Sequence, residues 1–427
     1  MSDPKEFKVS RKYANYVFSL LFLLYAFDYV DRMVIASLFP YLKADWGITD
    51  TQCGLLASIV TISMTVFVFP ISFMIDRWSR KKAIGIMALL WGLAAGACAF
   101  ASNFRQLFAL RSVIGVGEAA YTAGGHAMIA AYYPEEKRAT MNGLFTAAIP
   151  LGTAAGVILG GAIAVRFGWR YAFGLTAIPG IIVALLFFKV KDYKTVKVLQ
   201  RAAKEDELST GRKSYKEVAS DFIHTPSLMF TYAGYVGNTF VTTAMITWLP
   251  TYFHRTEGLP MDKAGMKTSL IFLLAIMGAP IGGMIADRWR RTRSNARMVM
   301  PAITSLLSAF FVMMAFVFST GQVQYIFLMA FGFTAPMFAA AGSAVTQDVV
   351  HPGLRATSYS MCQVCQMALG YSLSPIFVGI ISDRYDLLTA FQFLPIFMTF
   401  GGIVFFIGSF FYEADLNKVE KVVLEHG

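Results

Sequence analysis

Five charged residues interrupt segments of this sequence that are otherwise apolar. Asp28, Asp31 and Arg32 are spaced i, i+3, i+4, and Arg111 and Glu118 are spaced i, i+7, so each set projects from one face of a helix. A charge at the centre of a bilayer costs about 2.5–3.5 kcal/mol, and several together require pairing or hydration. Two explanations fit: an ion-pair network that joins two helices, or a site that binds protons and an anion.

The composition predicts an integral membrane protein. Of 427 residues, 56% are hydrophobic and only 15% are charged. A helix that crosses a bilayer needs about 20 mostly apolar residues, and helices satisfy their own backbone hydrogen bonds there. Twelve such segments are predicted, at 14–38, 53–75, 82–101, 105–131, 140–164, 170–189, 228–253, 264–286, 297–318, 322–347, 356–381 and 389–412.

The positions of the basic residues predict the orientation. Most of the 37 Lys and Arg residues fall on one side if both termini are cytoplasmic. The net charge of +11 then reflects topology and attraction to anionic lipids, and we expect no nucleic-acid partner. With no N-glycosylation sequon, the sequence indicates the plasma (inner) membrane of a bacterium.

Other classes of protein have little support. The four cysteines lie in or beside apolar segments and predict no disulfide framework. The chain has five scattered histidines and neither an HExxH nor a GxSxG motif, so we expect no enzyme activity, no metal site and no cofactor.

The chain divides into two halves that share a motif. The charged segment 190–225 separates an amino-terminal six-helix bundle, 1–189, from a carboxy-terminal one, 226–412, which a cytoplasmic tail, 413–427, follows. FMIDRWSRKK follows the second apolar segment of the first half, and GGMIADRWRRTR follows the second of the other half. Such a repeat is typical of secondary transporters that move two bundles around a central site.

Several motifs resemble the major facilitator superfamily over essentially the whole chain. The loop motif GxxxDRxxRR is similar to GMIADRWRR in the second half, while the first half has Ser72 and Ser79 in place of glycines. RSVIGVGEAA resembles the fourth-helix motif with its buried arginine. The fifth segment has a glycine ladder, but Val157 stands where many antiporters have proline.

Within that superfamily the chain resembles two groups. YVDRMVIASLFPYLKADWGITDTQCGLLAS and FGWRYAFGLTAIPG are similar to bacterial spinster-like transporters. The DR of the first segment, the GxxE of the fourth and GWRxxF also resemble the anion:cation symporters, which carry organic acids. The resemblance implies a twelve-helix major facilitator fold and an alternating-access mechanism.

The resemblance also implies roles for the five charged residues. At 1.5 Å per residue, Asp28 and Glu118 lie about 21 Å and about 20 Å from the cytoplasmic ends of their helices, which places them at one level. We expect Asp31 and Glu118 to carry coupled protons, with Asp28 as an additional carboxylate, and Arg32 and Arg111 to contact an anionic substrate. The coupling ion is then H+.

The second half offers neutral polar residues and a loop. We expect its bundle to contribute substrate contacts from one face each of the seventh and eleventh segments, namely Tyr235, Asn238, Thr242, Tyr359, Gln363 and Gln366. The repeated loops predict a cytoplasmic gate of ion pairs and helix-dipole contacts, formed by Asp76, Arg77, Arg80, Arg138, Asp287 and Arg288. The alternative for these loop charges is a purely topological role.

The sequence therefore predicts a monomeric, proton-coupled transporter of a small organic anion, either a carboxylate or a sugar acid. Its expected partners are that small molecule and the lipid bilayer. A spinster-like transporter of a lysolipid or other amphiphile is the alternative. A non-transporting receptor with a transporter fold is a more distant one.

Overall fold

The computed structural model describes residues 10–77, 80–119, 121–133, 135–190, 220–351 and 354–419. Within these ranges the regular structure consists of helices, and no β-strand occurs. The prediction of an all-helical protein is therefore confirmed for the described part of the chain.

The helices of the first half are α1 (Arg11–Val34), α2 (Phe39–Trp46), α3 (Asp50–Arg77), α4 (Arg80–Ala97), α5 (Phe104–Glu118), α6 (Tyr121–Tyr132), α7 (Glu135–Thr146), α8 (Ala148–Phe167) and α9 (Trp169–Phe187). Those of the second half are α10 (Pro226–Glu257), α11 (Met261–Leu273), α12 (Ala275–Arg290), α13 (Ala296–Met313), α14 (Gly321–Thr334), α15 (Phe338–Asp348), α16 (Arg355–Cys365), α17 (Ser374–Arg384), α18 (Leu387–Gly408) and α19 (Tyr412–Lys418). Short π-helical segments, Met314–Phe318 and Gln366–Tyr371, continue α13 and α16.

In the described ranges, nine helical stretches are long and apolar enough to cross a membrane. They are Asp50–Val68, Lys82–Phe100, Thr140–Phe167, Trp169–Phe187, Met261–Arg290, Ala296–Phe318, Gly321–Asp348, Thr357–Arg384 and Leu387–Gly408. The remaining predicted spans, 14–38, 105–131 and 228–253, fall on α1, on α5 with α6, and on α10. Twelve spans and cytoplasmic ends stay predictions.

The helices pack as two groups. In the first, α1 packs against α8 and α9, and α4 packs against α5 and α9; in the second, α18 packs against α10 and α13. The groups meet along two helix pairs, α8 with α11 and α3 with α17. The linker predicted at 190–225 lies largely outside the described residues, so its bounds stay a prediction.

Glycines allow the helices of the first group to approach closely. A Cβ atom on Gly152 would lie 2.4 Å from the carbonyl oxygen of Ala26, and one on Gly156 would lie 2.5 Å from that of Val30. Small residues permit such backbone contacts between membrane helices. The glycine ladder of α8 therefore fixes the position of α1, which carries three of the buried charges.

The helix pairs also define two faces of the molecule. The end of α10, at Arg255, contacts the beginning of α3, at Asp50. The starts of α1 and α10 consequently lie on the other side, which we call the terminus face. The side that contains these two contacting residues is called the Asp50 face.

Candidate functional site

One guanidinium joins α1 to α5 inside the first group of helices. Arg32 Nη2 donates to Asp28 Oδ2 at 3.1 Å and to Glu118 Oε2 at 2.8 Å. Both carboxylates are almost fully buried, and the Arg32 side chain is 13% exposed. Its guanidinium carbon lies 4.7 Å from the ring centroid of Tyr29. These contacts are those of the ion-pair network considered above.

The other two charged residues are buried without an ion-pair partner. Arg111 Nε donates to the carbonyl of Leu56 at 2.6 Å, but neither Nη atom has a hydrogen-bond partner among the described residues. Both carboxylate oxygens of Asp31 likewise lack one within the described ranges. The nearby hydroxyl of Thr176 donates to the carbonyl of Ala172 at 2.7 Å. Buried polar groups normally have hydrogen-bond partners, so Asp31 and Arg111 both retain unused hydrogen-bonding capacity.

A cavity of about 600 Å³ lies between the two groups of helices. Its polar lining includes Tyr29 of α1, Tyr235 and Thr242 of α10, and Gln366 and Tyr371 of the π segment after α16. The rest is mostly aliphatic or aromatic, and no acidic or basic side chain of the described residues lines it. The cavity is therefore largely apolar.

Two of the α10 threonines that line the cavity already donate their hydroxyl protons within their own helix. Thr239 Oγ1 donates to the carbonyl of Tyr235 at 2.7 Å, and Thr242 Oγ1 donates to that of Asn238 at 3.0 Å. The Tyr235 hydroxyl donates to the carbonyl of Ala339. Because one hydroxyl donates one proton, these groups face the cavity mainly as acceptors.

The structure separates the residues predicted to bind substrate. Asn238 is fully buried and donates to the carbonyl of Gly234. Gln363 Nε2 donates to the Tyr359 hydroxyl, and neither side chain is among those lining the cavity. Arg32 and Arg111 are absent from the lining as well. Sequence reasoning missed other polar lining residues, whose spacing on their helices is the same as that of packing residues: Thr146, Thr153, Thr243, Thr247 and Tyr371.

The predicted gate at the terminus face is only partly described. The side chains of Asp76, Arg77 and Arg80 lie outside the described residues. Arg138 Nε donates to the carbonyl of Tyr133 at 3.1 Å, and Arg288 is exposed.

The aspartate of the second repeated loop has a partner in its own half of the molecule. Asp287 Oδ1 accepts from Arg297 Nη2 at 3.1 Å, and Arg297 also donates to Asp348 at 2.5 Å. All three residues belong to the second group of helices. No ion pair of the described side chains joins the two groups at this face.

The Asp50 face, in contrast, carries an ion cluster that joins the groups. Asp50, 3% exposed at its side chain, accepts two hydrogen bonds from Arg255, both at 2.7 Å, and one from Ser382 at 2.6 Å. Asp383 accepts from the backbone N–H groups of Asp50 and Thr51, both at 2.7 Å, and so caps α3. None of these contacts is predicted from the sequence.

Backbone contacts close the same face. A Cβ on Gly161 would lie 2.5 Å from the carbonyl of Met261, and one on Gly379 would lie 2.5 Å from that of Asp50. Farther along α8 and α11, towards the terminus face, Thr153 and Phe272 line the cavity instead. The two groups thus touch at the Asp50 face and diverge around the cavity.

Comparison with known sequences identifies related proteins. Residues 21–375 match the family described as Major Facilitator Superfamily. The hexuronate transporter of Bacillus subtilis (strain 168) is 29% identical over 272 residues, which is 64% of this chain and 64% of that protein's length. Protein spinster homolog 1 of Xenopus tropicalis is 27% identical over 396 residues, covering 88% of this chain and 74% of that protein.

A solved structure shares the fold. It is a bacterial homologue of the human lysosomal transporter Spinster, in an inward-facing and unoccupied conformation. It superposes with a TM-score of 0.78 at 20% identity, covering 96% of this chain and 98% of the other.

Proposed function

Because the chain belongs to the major facilitator superfamily, a family of membrane transporters, we propose that it is a proton-coupled secondary transporter whose cargo is an amphiphile such as a lysolipid. The chain is a multi-pass membrane protein with relatives among hexuronate and spinster transporters. The sequence alone favours a small organic anion and gives an amphiphile as the alternative; this proposal puts the amphiphile first.

The residues that line the central cavity favour an amphiphile over a sugar acid. A sugar acid buried there would need a counter-charge and partners for several hydroxyl groups, and unpaired polar groups cost about 1–3 kcal/mol each. The cavity offers no charged side chain among the described residues, and Thr239 and Thr242 already donate to their own helix. An amphiphile with a zwitterionic head, such as lysophosphatidylcholine, has no net charge to compensate and needs apolar contact along most of its length with a few polar groups for its head.

Proton coupling is supported by the buried carboxylates of the first bundle. Carboxylates removed from water bind protons more readily, while a nearby arginine opposes this. Asp31 lacks an ion-pair partner, whereas Asp28 and Glu118 share Arg32. A purely structural network accounts for Arg32, but it leaves Asp31 and Arg111 unexplained.

The asymmetry of the two faces supports alternating access. If the terminus face is cytoplasmic, as its basic residues suggest, the cluster at Asp50 closes the outside and the cavity opens inward. The proposed inner gate would then be open. When the terminus face closes, the predicted gate residues would form contacts with the other bundle. These residues are Asp76, Arg77, Arg80, Arg138, Asp287 and Arg288.

A small organic anion is the second candidate. Arg32 packs on the ring of Tyr29, which lines the cavity, and its Nε has no hydrogen-bond partner among the described residues. A movement of the Tyr29 ring would expose the guanidinium to a carboxylate. The similarity to a hexuronate transporter also favours this candidate.

Binding and flux measurements on the purified protein distinguish the candidates. Proteoliposomes are offered fluorescent lysophosphatidylcholine or radiolabelled glucuronate, and we expect flux of the first only. Ala279→Trp fills the cavity from α12 and should abolish that flux. Met277→Trp, on the same helix and 58% exposed, is the matched control and should retain it.

Flux of glucuronate without flux of lysophosphatidylcholine would establish a small organic anion as the cargo. Tight binding of either ligand without flux would favour the receptor. If lysophosphatidylcholine moves equally through Ala279→Trp and the unmodified protein, the cavity is not its path and the proposal fails.

A further inference from the structure

A π-helical segment, Gln366–Tyr371, interrupts the regular helix between α16 and α17. The N–H of Ser372 donates to the carbonyl of Met367, five residues earlier, at 3.1 Å, and the Ser372 hydroxyl donates to the same oxygen at 2.6 Å. Such segments are rare and frequently occur at functional sites. This one packs against α10 of its own bundle and against α3 of the other, so it lies where the two bundles meet.

A glycine allows this segment to approach α10. A Cβ atom on Gly370 would lie 2.4 Å from the hydroxyl oxygen of Thr239. That hydroxyl donates to the carbonyl of Tyr235 and is thereby held in place. A larger residue at position 370 would therefore move the π segment away from α10 and change the wall of the cavity.

The π turn brings two polar side chains of the segment to the cavity. In an α-helix, with 3.6 residues per turn, residue i+5 points about 140° away from residue i. The i→i+5 hydrogen bonds of a π turn bring the two residues closer to one side. Gln366 and Tyr371 have this spacing, and both line the cavity. The segment thus presents an amide and a phenol hydroxyl to the same space.

Both side chains have polar groups available to a ligand. Gln366 Nε2 has only long contacts, at 3.4 Å to the carbonyl of Cys362 and at 3.5 Å to its sulfur. Among the described residues, none donates to Gln366 Oε1, and none forms a hydrogen bond with the Tyr371 hydroxyl. The Tyr371 side chain is 39% exposed. These groups contrast with the hydroxyls of Tyr235 and Thr239, which already donate to the protein.

Other parts of the wall are entirely apolar. The side chains that α11 and α12 contribute to the cavity include Phe272, Ile276 and Pro280, and none of their lining residues is polar. The same holds for the lining residues of the stretch 332–339. The cavity therefore combines an apolar wall, which suits an acyl chain, with a polar segment, which suits a head group.

We infer that Gln366 and Tyr371 form the subsite for the head of the cargo, and that this head contains a phosphate group, which accepts hydrogen bonds from Gln366 Nε2 and from the Tyr371 hydroxyl. The inference rests on the proposed amphiphile cargo and adds the residues that select its head. Both donors are neutral. Since an isolated buried charge is strongly disfavoured, the phosphate that fits is one balanced by an ammonium group of the same head.

Binding of two radiolabelled lipids to the purified full-length protein tests this subsite. The lipids are lysophosphatidylcholine and a monoacylglycerol with the same acyl chain, which lacks the phosphate. Tyr371→Phe and Gln366→Leu each remove one donor to a charged group, so each should weaken binding of lysophosphatidylcholine about 10-fold or more. Binding of the monoacylglycerol should stay unchanged in both variants.

Tyr359→Phe is the matched control, because Tyr359 lies on α16 and is not among the cavity-lining residues. It should bind both lipids as the unmodified protein does. An equal loss of both lipids in Tyr371→Phe and Gln366→Leu would show a structural role only and would overturn the inference. Unchanged binding of lysophosphatidylcholine in these variants would overturn it as well, as would an equal loss in Tyr359→Phe.

The unmodified protein separates this inference from the proposed function. If it binds lysophosphatidylcholine but the two subsite variants bind it equally well, only the head-group subsite is wrong. If it binds neither lipid, the proposed amphiphile cargo fails, and the subsite fails with it.

Discussion

Asp50→Asn should destabilise the closed state of the Asp50 face. The carboxylate is nearly inaccessible and receives hydrogen bonds from Arg255 and Ser382 of the second bundle and from Lys43 of the first. An amide of similar shape keeps one acceptor for Ser382 but loses the charge that attracts Arg255. The change therefore acts on the contact between bundles and leaves the cavity untouched.

The expected magnitude follows from the Arg255 contact. A hydrogen bond to a charged group contributes about 1.5–3 kcal/mol, and solvent screens this pair because the Arg255 side chain is 31% exposed. We take about 2 kcal/mol for the two bonds together. That corresponds to a change of about 30-fold in the equilibrium between the two conformations, in favour of opening at the Asp50 face.

Distances between spin labels report this equilibrium. Labels at Ser102 and Lys263, both exposed, lie on the two bundles at the Asp50 face. Double electron–electron resonance, on a variant in which the four native cysteines are replaced, should show a new, longer distance between the two labels in Asp50→Asn. Glu257→Gln breaks the ion pair with Lys267, which lies within the second bundle, and should give the unmodified distribution.

Two results would refute this reasoning. One is an unchanged distribution in Asp50→Asn, which would mean that backbone packing alone holds the face closed. The other is an equal shift in Glu257→Gln, which would mean that any lost charge on this face loosens it.

Three further outcomes are expected. Asp383→Asn leaves one oxygen where two accept from the backbone N–H groups of Asp50 and Thr51; the lost hydrogen bond costs about 1 kcal/mol and should shift the same distance distribution about 5-fold towards the open state. Gly115→Ala places a Cβ 2.2 Å from the carbonyl of Val60 and should lower thermal stability by about 1–3 kcal/mol, whereas Gly143→Ala meets no atom within 4 Å and should not. Glu118→Gln should bind and exchange cargo but fail to accumulate it when the outside is acidic; full accumulation would remove Glu118 from the coupling mechanism.

The sequence predicts the helical fold well, because long apolar segments and a repeated loop have few other interpretations. The position of the charges in these segments also carries real information. Helix rise alone places Asp28 and Glu118 at one level, and in the structure Arg32 contacts both. The family assignment is confirmed by a match over residues 21–375.

The direction of individual side chains could not be predicted in this way. Arg111 is predicted to contact the substrate together with Arg32, yet it bonds to the carbonyl of Leu56 and does not line the cavity. A helical face is defined by spacing, but tilt and neighbouring helices decide which part of that face is accessible. The expectation of an arginine-lined site depended on that missing information.

The cluster at the Asp50 face escaped prediction for another reason. Its members are isolated charges at helix ends, and Asp50 and Asp383 are separated by 333 positions. No local pattern distinguishes them from ordinary capping residues. Only the packing of α3 against α17 brings them together.

Uptake of fluorescent lysophosphatidylcholine into proteoliposomes under an imposed pH gradient, with the membrane potential clamped at zero, tests the central claim most directly. We predict accumulation above the equilibrium level that depends on the direction of the gradient and disappears when a protonophore is added. Accumulation of lysophosphatidylcholine that does not depend on the pH gradient would contradict the proposal of a proton-coupled transporter of amphiphiles. Gradient-dependent accumulation of glucuronate in place of lysophosphatidylcholine would contradict it as well.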